Sequence, residues 1–126
     1  MSASEALMTA AADALRQVAA LSGVHEAMPL QAAAPYATVA AGLETDWGHK
    51  SGSGRELRLT VILRDQGERP ARLRALAAEA QEALAGLAAA GGWQLVTLVF
   101  VRGITVAEGA GRWAITLDYR ARMLAG

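Results

Sequence analysis

The sequence predicts an α+β domain. The expected architecture is a four-stranded antiparallel sheet with two helices on one face, in the order helix, strand, strand, helix, strand, strand. Three observations predict it. Two alanine-rich segments carry apolar residues at spacings of three and four, the period of a half-buried helix. Two segments alternate apolar and polar residues with period two, the pattern of strands buried on one side. Glycine-rich breaks at 44–54 and 107–111 each separate two strand-like runs, where sequential antiparallel strands are joined.

The first helix is expected over about residues 3–22. Leu7, Ala11, Ala14, Val18 and Leu21 form its apolar stripe, with Thr9, Asp13, Arg16 and Ala20 opposite. Ser2 and Glu5 have the spacing of a capping box, and Gly23 supplies a stop. Residues 24–35 contain two prolines and no period, which reads as a loop. A strand of modest propensity runs from Tyr36 to about Leu43, with Pro35 at its entrance. Residues 44–54, ETDWGHKSGSG, read as a long mobile loop bearing one large aromatic, Trp47.

Arg55 to Arg64 alternates cleanly. Leu57, Leu59, Val61 and Leu63 face one way, and Glu56, Arg58, Thr60, Ile62 and Arg64 the other. The second helix is expected over about 68–90, with Leu73, Leu76, Ala77, Ala80, Leu84 and Leu87 as its stripe and Pro70 in its first turn. Gly91-Gly92 ends it, and Gly86 inside it costs about 1 kcal/mol relative to alanine. The run from Trp93 to Val106 is an apolar strand with large residues on both faces: Val96, Leu98 and Phe100 on one, Leu95, Val99 and Val101 on the other. A strand of this kind is covered on both sides. The helices supply one cover; the other has to come from outside the chain. The last strand, about Arg112 to Met123, sets Trp113, Ile115, Leu117 and Tyr119 against Arg112, Thr116, Asp118 and Arg120.

At 126 residues the chain is the size of one domain, spanning 1–126, and can bury a core without metal or disulfide support. Much of its 53% hydrophobic content is alanine, so the core should be thin and the helices close to the sheet. Twelve Lys and Arg balance twelve Asp and Glu. That neutrality argues against general nucleic-acid binding and permits self-association. Without cysteine, thiolate chemistry and disulfides are excluded. Glu5, Asp13 and Arg16 interrupt the N-terminal apolar run, which reads as a helix of the mature protein and not as a signal peptide.

The catalytic inventory is sparse. His25 and His49 each lack a second histidine or paired carboxylates at metal-ligand spacing, so neither a metal nor a cofactor is expected. No nucleophile elbow, P-loop or dinucleotide fingerprint is present, and the GSG at 52–54 precedes a strand, not a helix, so it reads as a hinge. An enzyme built on Asp46, His49 and Lys50 is the weakest reading. A small α+β ligand-binding or regulatory module is the second. The reading preferred here is a structural subunit. Trp47 either folds back on its own domain or anchors an interface, where Trp is enriched. Arg58, Ile62 and Arg64, facing outward on their strand, and Phe100 on the doubly apolar strand, are candidates for the same contact.

The string AAPYATVAAGLETDWGHKSGSGRELRLTVIL at 33–63, followed by an alanine-rich helix and two strands, resembles the DUF3168 family, which includes tail-terminator-like proteins of siphophages and gene transfer agents. Pro35-Tyr36 at a strand start, Asp46-Trp47 before a glycine-containing loop, the charged-aliphatic strand 55–64 and the closing RWAITLDYRARM at 112–123 carry the likeness over nearly the whole chain. It departs from the family where Ile62 and Leu63 stand in place of a late aromatic. The resemblance implies a virion structural protein and not an enzyme: a hexameric ring at the head-proximal end of a phage-like tail. Such a ring would end polymerisation of the tail tube protein and meet a head-completion (stopper) protein. DNA would pass its lumen without sequence readout. Assembly would take place in the bacterial cytoplasm, with no membrane step. On this reading Asp46, Trp47, His49, Lys50, Arg58, Ile62, Arg64 and Phe100 are the expected interface residues.

Overall fold

The computed structural model describes residues 1–50, 52–88 and 91–126. The class is α+β, as expected, but the sheet has five strands and not four. In chain order the elements are α1 (Ala3–Leu15), β1 (Gly23–His25), β2 (Tyr36–Asp46), β3 (Gly54–Gln66), α2 (Ala71–Ala85), β4 (Trp93–Gly109) and β5 (Arg112–Ala125). The sheet order is β1-β2-β3-β5-β4. β1 pairs in parallel with Tyr36–Thr38 of β2, and every other pairing is antiparallel. Three residues are too short to show alternation, so β1 left no periodic trace in the segment expected to be a loop.

Both helices end earlier than their apolar patterns. α1 starts as the capping spacing predicts: the Ser2 hydroxyl accepts from the Glu5 amide at 3.2 Å. It stops at Leu15, and the chain continues in turns closed by Val18 N–H to Leu15 O and Leu21 N–H to Val18 O. Those bonds also place apolar residues three apart, so Val18 and Leu21 still reach the core. Spacing alone cannot separate such turns from a continuing helix. α2 is capped by Pro70 and Gly86, so Gly86 terminates the helix and does not sit inside it. Leu87 nevertheless packs against the core beyond that cap. Ala89 and Ala90, at the expected helix end, and Ser51 in the expected loop lie outside the described residues.

The core is one layer between helices and sheet. Leu57, Leu59, Val61 and Leu63 of β3 stand opposite Ala121, Tyr119, Leu117 and Ile115 of β5, all buried. Leu7, Ala11 and Leu15 of α1 and Leu73, Ala80 and Leu84 of α2 close over them. Many of these helix residues are alanine, which brings the helices close to the strands. Asp65 at the end of β3 is clamped by Arg72 at the start of α2, whose Nε donates to Oδ2 at 2.8 Å. That clamp ties the end of β3 to the first turn of α2.

Most of the described part of the expected loop at 44–54 is paired backbone. Glu44, Thr45 and Asp46 pair with Leu57, Glu56 and Arg55 beyond a bulge after Ala41. The hairpin then continues through Trp47 N–H to Gly54 O at 3.0 Å and His49 N–H to Gly52 O at 2.8 Å. Glycine is required at position 54, where a Cβ would lie 2.5 Å from the Trp47 carbonyl oxygen. Polar and glycine-rich composition marked the segment as a loop. Backbone pairing to β3, set by the register of the aliphatic strand, makes it an arm of the sheet.

Candidate interaction surface

The helices cover one face of the sheet. The other face is open, and the expected alternation of β3 places Glu56, Arg58, Thr60, Ile62 and Arg64 there. Their neighbours across β5 are Arg122, Arg120, Asp118, Thr116 and Ala114. Asp118, buried at the centre, accepts from Thr60 Oγ1 at 2.8 Å and from Arg102 Nε of β4 at 2.9 Å. The hydrogen bond from Arg102 holds its carboxyl below the ordinary aspartate range, against the opposing effect of burial. Arg122 donates to Glu56 at 2.9 Å, and Arg64 lies 3.4 Å from Glu108. Arg58 and Arg120 face each other directly across the strands, and neither has a carboxylate within ion-pair distance among the described residues. Like charges so placed disfavour the pairing unless an anion lies near. Here the diagonal Asp118 is that anion: Arg58 lies close enough to help lower its pKa.

β4 is the edge strand, and its parity differs from the sequence expectation. Register shifts after Leu95, Phe100 and Ala107 insert bulged residues, and each bulge moves the following side chains to the other face. Leu95, Leu98 and Phe100 therefore share the helix side, opposite Met123, Ala121 and Tyr119. Val99 stands on the open side opposite Arg120. Val96 and Val101 occupy bulges and have no partner in β5. No helix shields this edge. Val96, Val99, Phe100, Val101, Ile104 and Val106 are each 40–45% exposed.

The expected interface residues fall into three places. Asp46, Trp47, His49 and Lys50 lie on the β2–β3 arm. Trp47 is half-buried, with the Arg122 guanidinium 5.5 Å from its ring centre and His49 edge-on at 4.8 Å. Asp46 lies 3.4 Å from Arg55, which also neutralises Glu44. Arg58, Ile62 and Arg64 lie on the open face. Phe100 is on the opposite side, edge-on to Tyr119 at 5.5 Å. The structure therefore joins the arm to the open face through Trp47 and Arg122, and leaves Phe100 apart. Arg102, Asp118, Arg120 and Arg122 were not singled out from sequence. Their partners lie 16 to 66 residues away, and only the strand register reveals them.

Chemistry is thinly represented in this geometry. Among the described residues no group of three or more His, Cys, Asp or Glu is placed to hold a metal, and no helix is long and apolar enough to cross a membrane. A cleft of about 160 Å³ lies between Tyr36, Arg64, Asp65, Glu108 and Trp113. Wider, shallow hollows of about 510 Å³ beside Val18 and Glu82 and about 610 Å³ beside Leu87 and Trp93 lie open to solvent.

Comparison with known proteins gives a consistent assignment. The family model described as "Tail completion protein gp17" matches residues 5–124. Among solved structures, a chain of the virion of a native gene transfer agent particle is similar over 96% of both chains, with a TM-score of 0.73 and 26% sequence identity. Among curated proteins no relative matches.

Proposed function

Because the chain belongs to the tail completion protein gp17 family, a family of structural virion proteins and not of enzymes, we propose that it is a subunit of a homo-oligomeric ring, a hexamer, at the head-proximal end of a phage-like tail. The ring ends growth of the tail tube and joins it to the head-completion protein. DNA passes through its lumen without sequence readout, and assembly takes place in the bacterial cytoplasm before the protein enters the particle. The observation that carries the self-association is β4. A 17-residue edge strand with six large apolar side chains 40–45% exposed is a patch that a folded monomer leaves in water. The thin alanine-rich helices cover the middle of the sheet and stop short of it.

The test is assembly in cells that lack this chain. Tails are expected to vary in length and to remain unattached to heads, and the wild-type chain supplied in trans should restore both. Tails of normal length joined to heads in its absence would refute the function. The grouping of Trp47 and Arg122 on one side of the arm supports that region as part of the contact surface.

A further inference from the structure

We infer that the open face of the sheet is a contact surface for the sugar-phosphate backbone of duplex DNA, with Arg58 and Arg120 on its two inner strands and Arg112 at one end. This rests on the ring reading above and names the face turned towards the lumen. Strand register assigns six arginines to the open side: Arg58 and Arg64 of β3, Arg112, Arg120 and Arg122 of β5, and Arg102 of β4. Three carboxylates stand among them on the same strands, and each has its own arginine. Glu56 takes Arg122, Glu108 takes Arg64 and Asp118 takes Arg102. Arg58, Arg112 and Arg120 remain, all exposed and with no carboxylate within ion-pair distance among the described residues. These strand positions therefore carry a net charge of +3, and the rest of the neutral chain carries −3.

Three features favour a phosphate backbone as the occupant. The unpaired cations are all arginine, whose planar guanidinium binds a phosphate through two parallel hydrogen bonds. Arg58 and Arg120 face each other directly across β3 and β5, and Asp118 on the diagonal is already neutralised by Arg102. A phosphate set against both arginines relieves their repulsion. Arg112 and Arg120 lie eight residues apart on β5, about 27 Å at roughly 3.4 Å per residue. Charge spread over that length suits a rod with phosphates spaced evenly along it. A protein partner draws its binding energy instead from a few anchors in a desolvated pocket. Subunits that meet at the β4 edge leave both broad faces of the sheet free, and the helices fill one of them. The open face is the one that carries the surplus of cations. Contacts to phosphates hold no sequence information, and three arginines in a neutral chain hold DNA weakly, as a duplex that has to slide requires.

Binding of the purified chain to a labelled duplex of mixed sequence, followed by fluorescence anisotropy over a range of salt, tests this. The wild type should bind at low salt without preference among sequences and lose affinity as salt rises. Each phosphate neutralised contributes about 0.9 to the slope of log K against log salt concentration, so Arg58→Gln/Arg120→Gln should weaken binding and reduce that slope by at least about 1.8. Arg69→Gln/Arg74→Gln, beside and within α2, removes the same charge from the helix side and should leave the slope unchanged. Circular dichroism and thermal melting first show that each variant folds like the wild type. If the open-face pair does not, Arg112→Gln replaces it, with an expected fall in slope of about 0.9. Absence of duplex binding at low salt, or equal losses in the two double variants, would overturn the inference. Poly-glutamate that binds the wild type more tightly than the duplex does would also overturn it and make this face a site for an acidic protein. None of these results bears on tail length or head joining, so the ring reading stands or falls separately, on the assembly assay above.

Discussion

Asp118→Asn probes the network that ties β4 to the rest of the sheet. Asp118 is 6% exposed and accepts from Thr60 and from Arg102. The amide can keep one acceptor for Thr60, so the main loss is the charge-assisted bond to Arg102. Hydrogen bonds to charged groups contribute about 1.5–3 kcal/mol. The Arg102 side chain is 62% exposed and regains water when released, which places the expected cost at and below the lower end of that range, at about 1–2 kcal/mol. For a domain of this size each kcal/mol moves Tm by about 3–6 °C, so a fall of about 3–12 °C is expected. The pH dependence has a definite sign. The folded-state pKa of Asp118 is lowered from the ordinary aspartate value, chiefly by Arg102. Its contribution is therefore complete above the unfolded pKa of about 3.9 and is lost as pH falls through the folded value. Urea denaturation at pH 7 and at steps down to pH 3, at one low protein concentration so that association does not shift the midpoint, should show the gap between wild type and variant closing in acid. A gap that is absent at pH 7, or that stays constant to pH 3, would refute the account of Asp118 as an ionised partner of Arg102.

Other consequences are simpler to read. Leu59→Asp places a charge at a fully buried core position and should abolish cooperative unfolding, since an unpaired buried charge costs several kcal/mol or forces neutralisation; a soluble variant with a sharp melt would contradict the strand register. Trp47→Ala should leave the fold intact with a loss of about 1 kcal/mol from the Arg122 contact, while weakening self-association in sedimentation; global unfolding would instead make Trp47 a core residue. Gly54→Ala forces a Cβ against the Trp47 carbonyl, a backbone atom, and should cost about 1–3 kcal/mol in chemical denaturation as the arm shifts. Ser2→Ala removes the α1 cap and should lower stability by about 1 kcal/mol, with no effect on assembly.

Local chemistry in the sequence determined the α+β class, both helices, the four long strands and the Ser2 cap, because periods of two and 3.6 and a capping spacing act within a few residues. The clean alternation of 55–64 also assigned the core and open faces of β3 correctly. What it could not determine lies between distant segments. β1 exists because Gly23–His25 reaches the start of β2, and three residues carry no period of their own. Glu44, Thr45 and Asp46 pair with β3, although the composition of their segment reads as loop. The bulges of β4 reassign its faces through the register with β5, which no count along a single strand foresees. The same register brings Arg102, Asp118 and Thr60 together from three strands. The sequence left one face of the strand bearing Phe100 without a cover; strand order, which depends on contacts between distant segments, put that strand at the edge of the sheet.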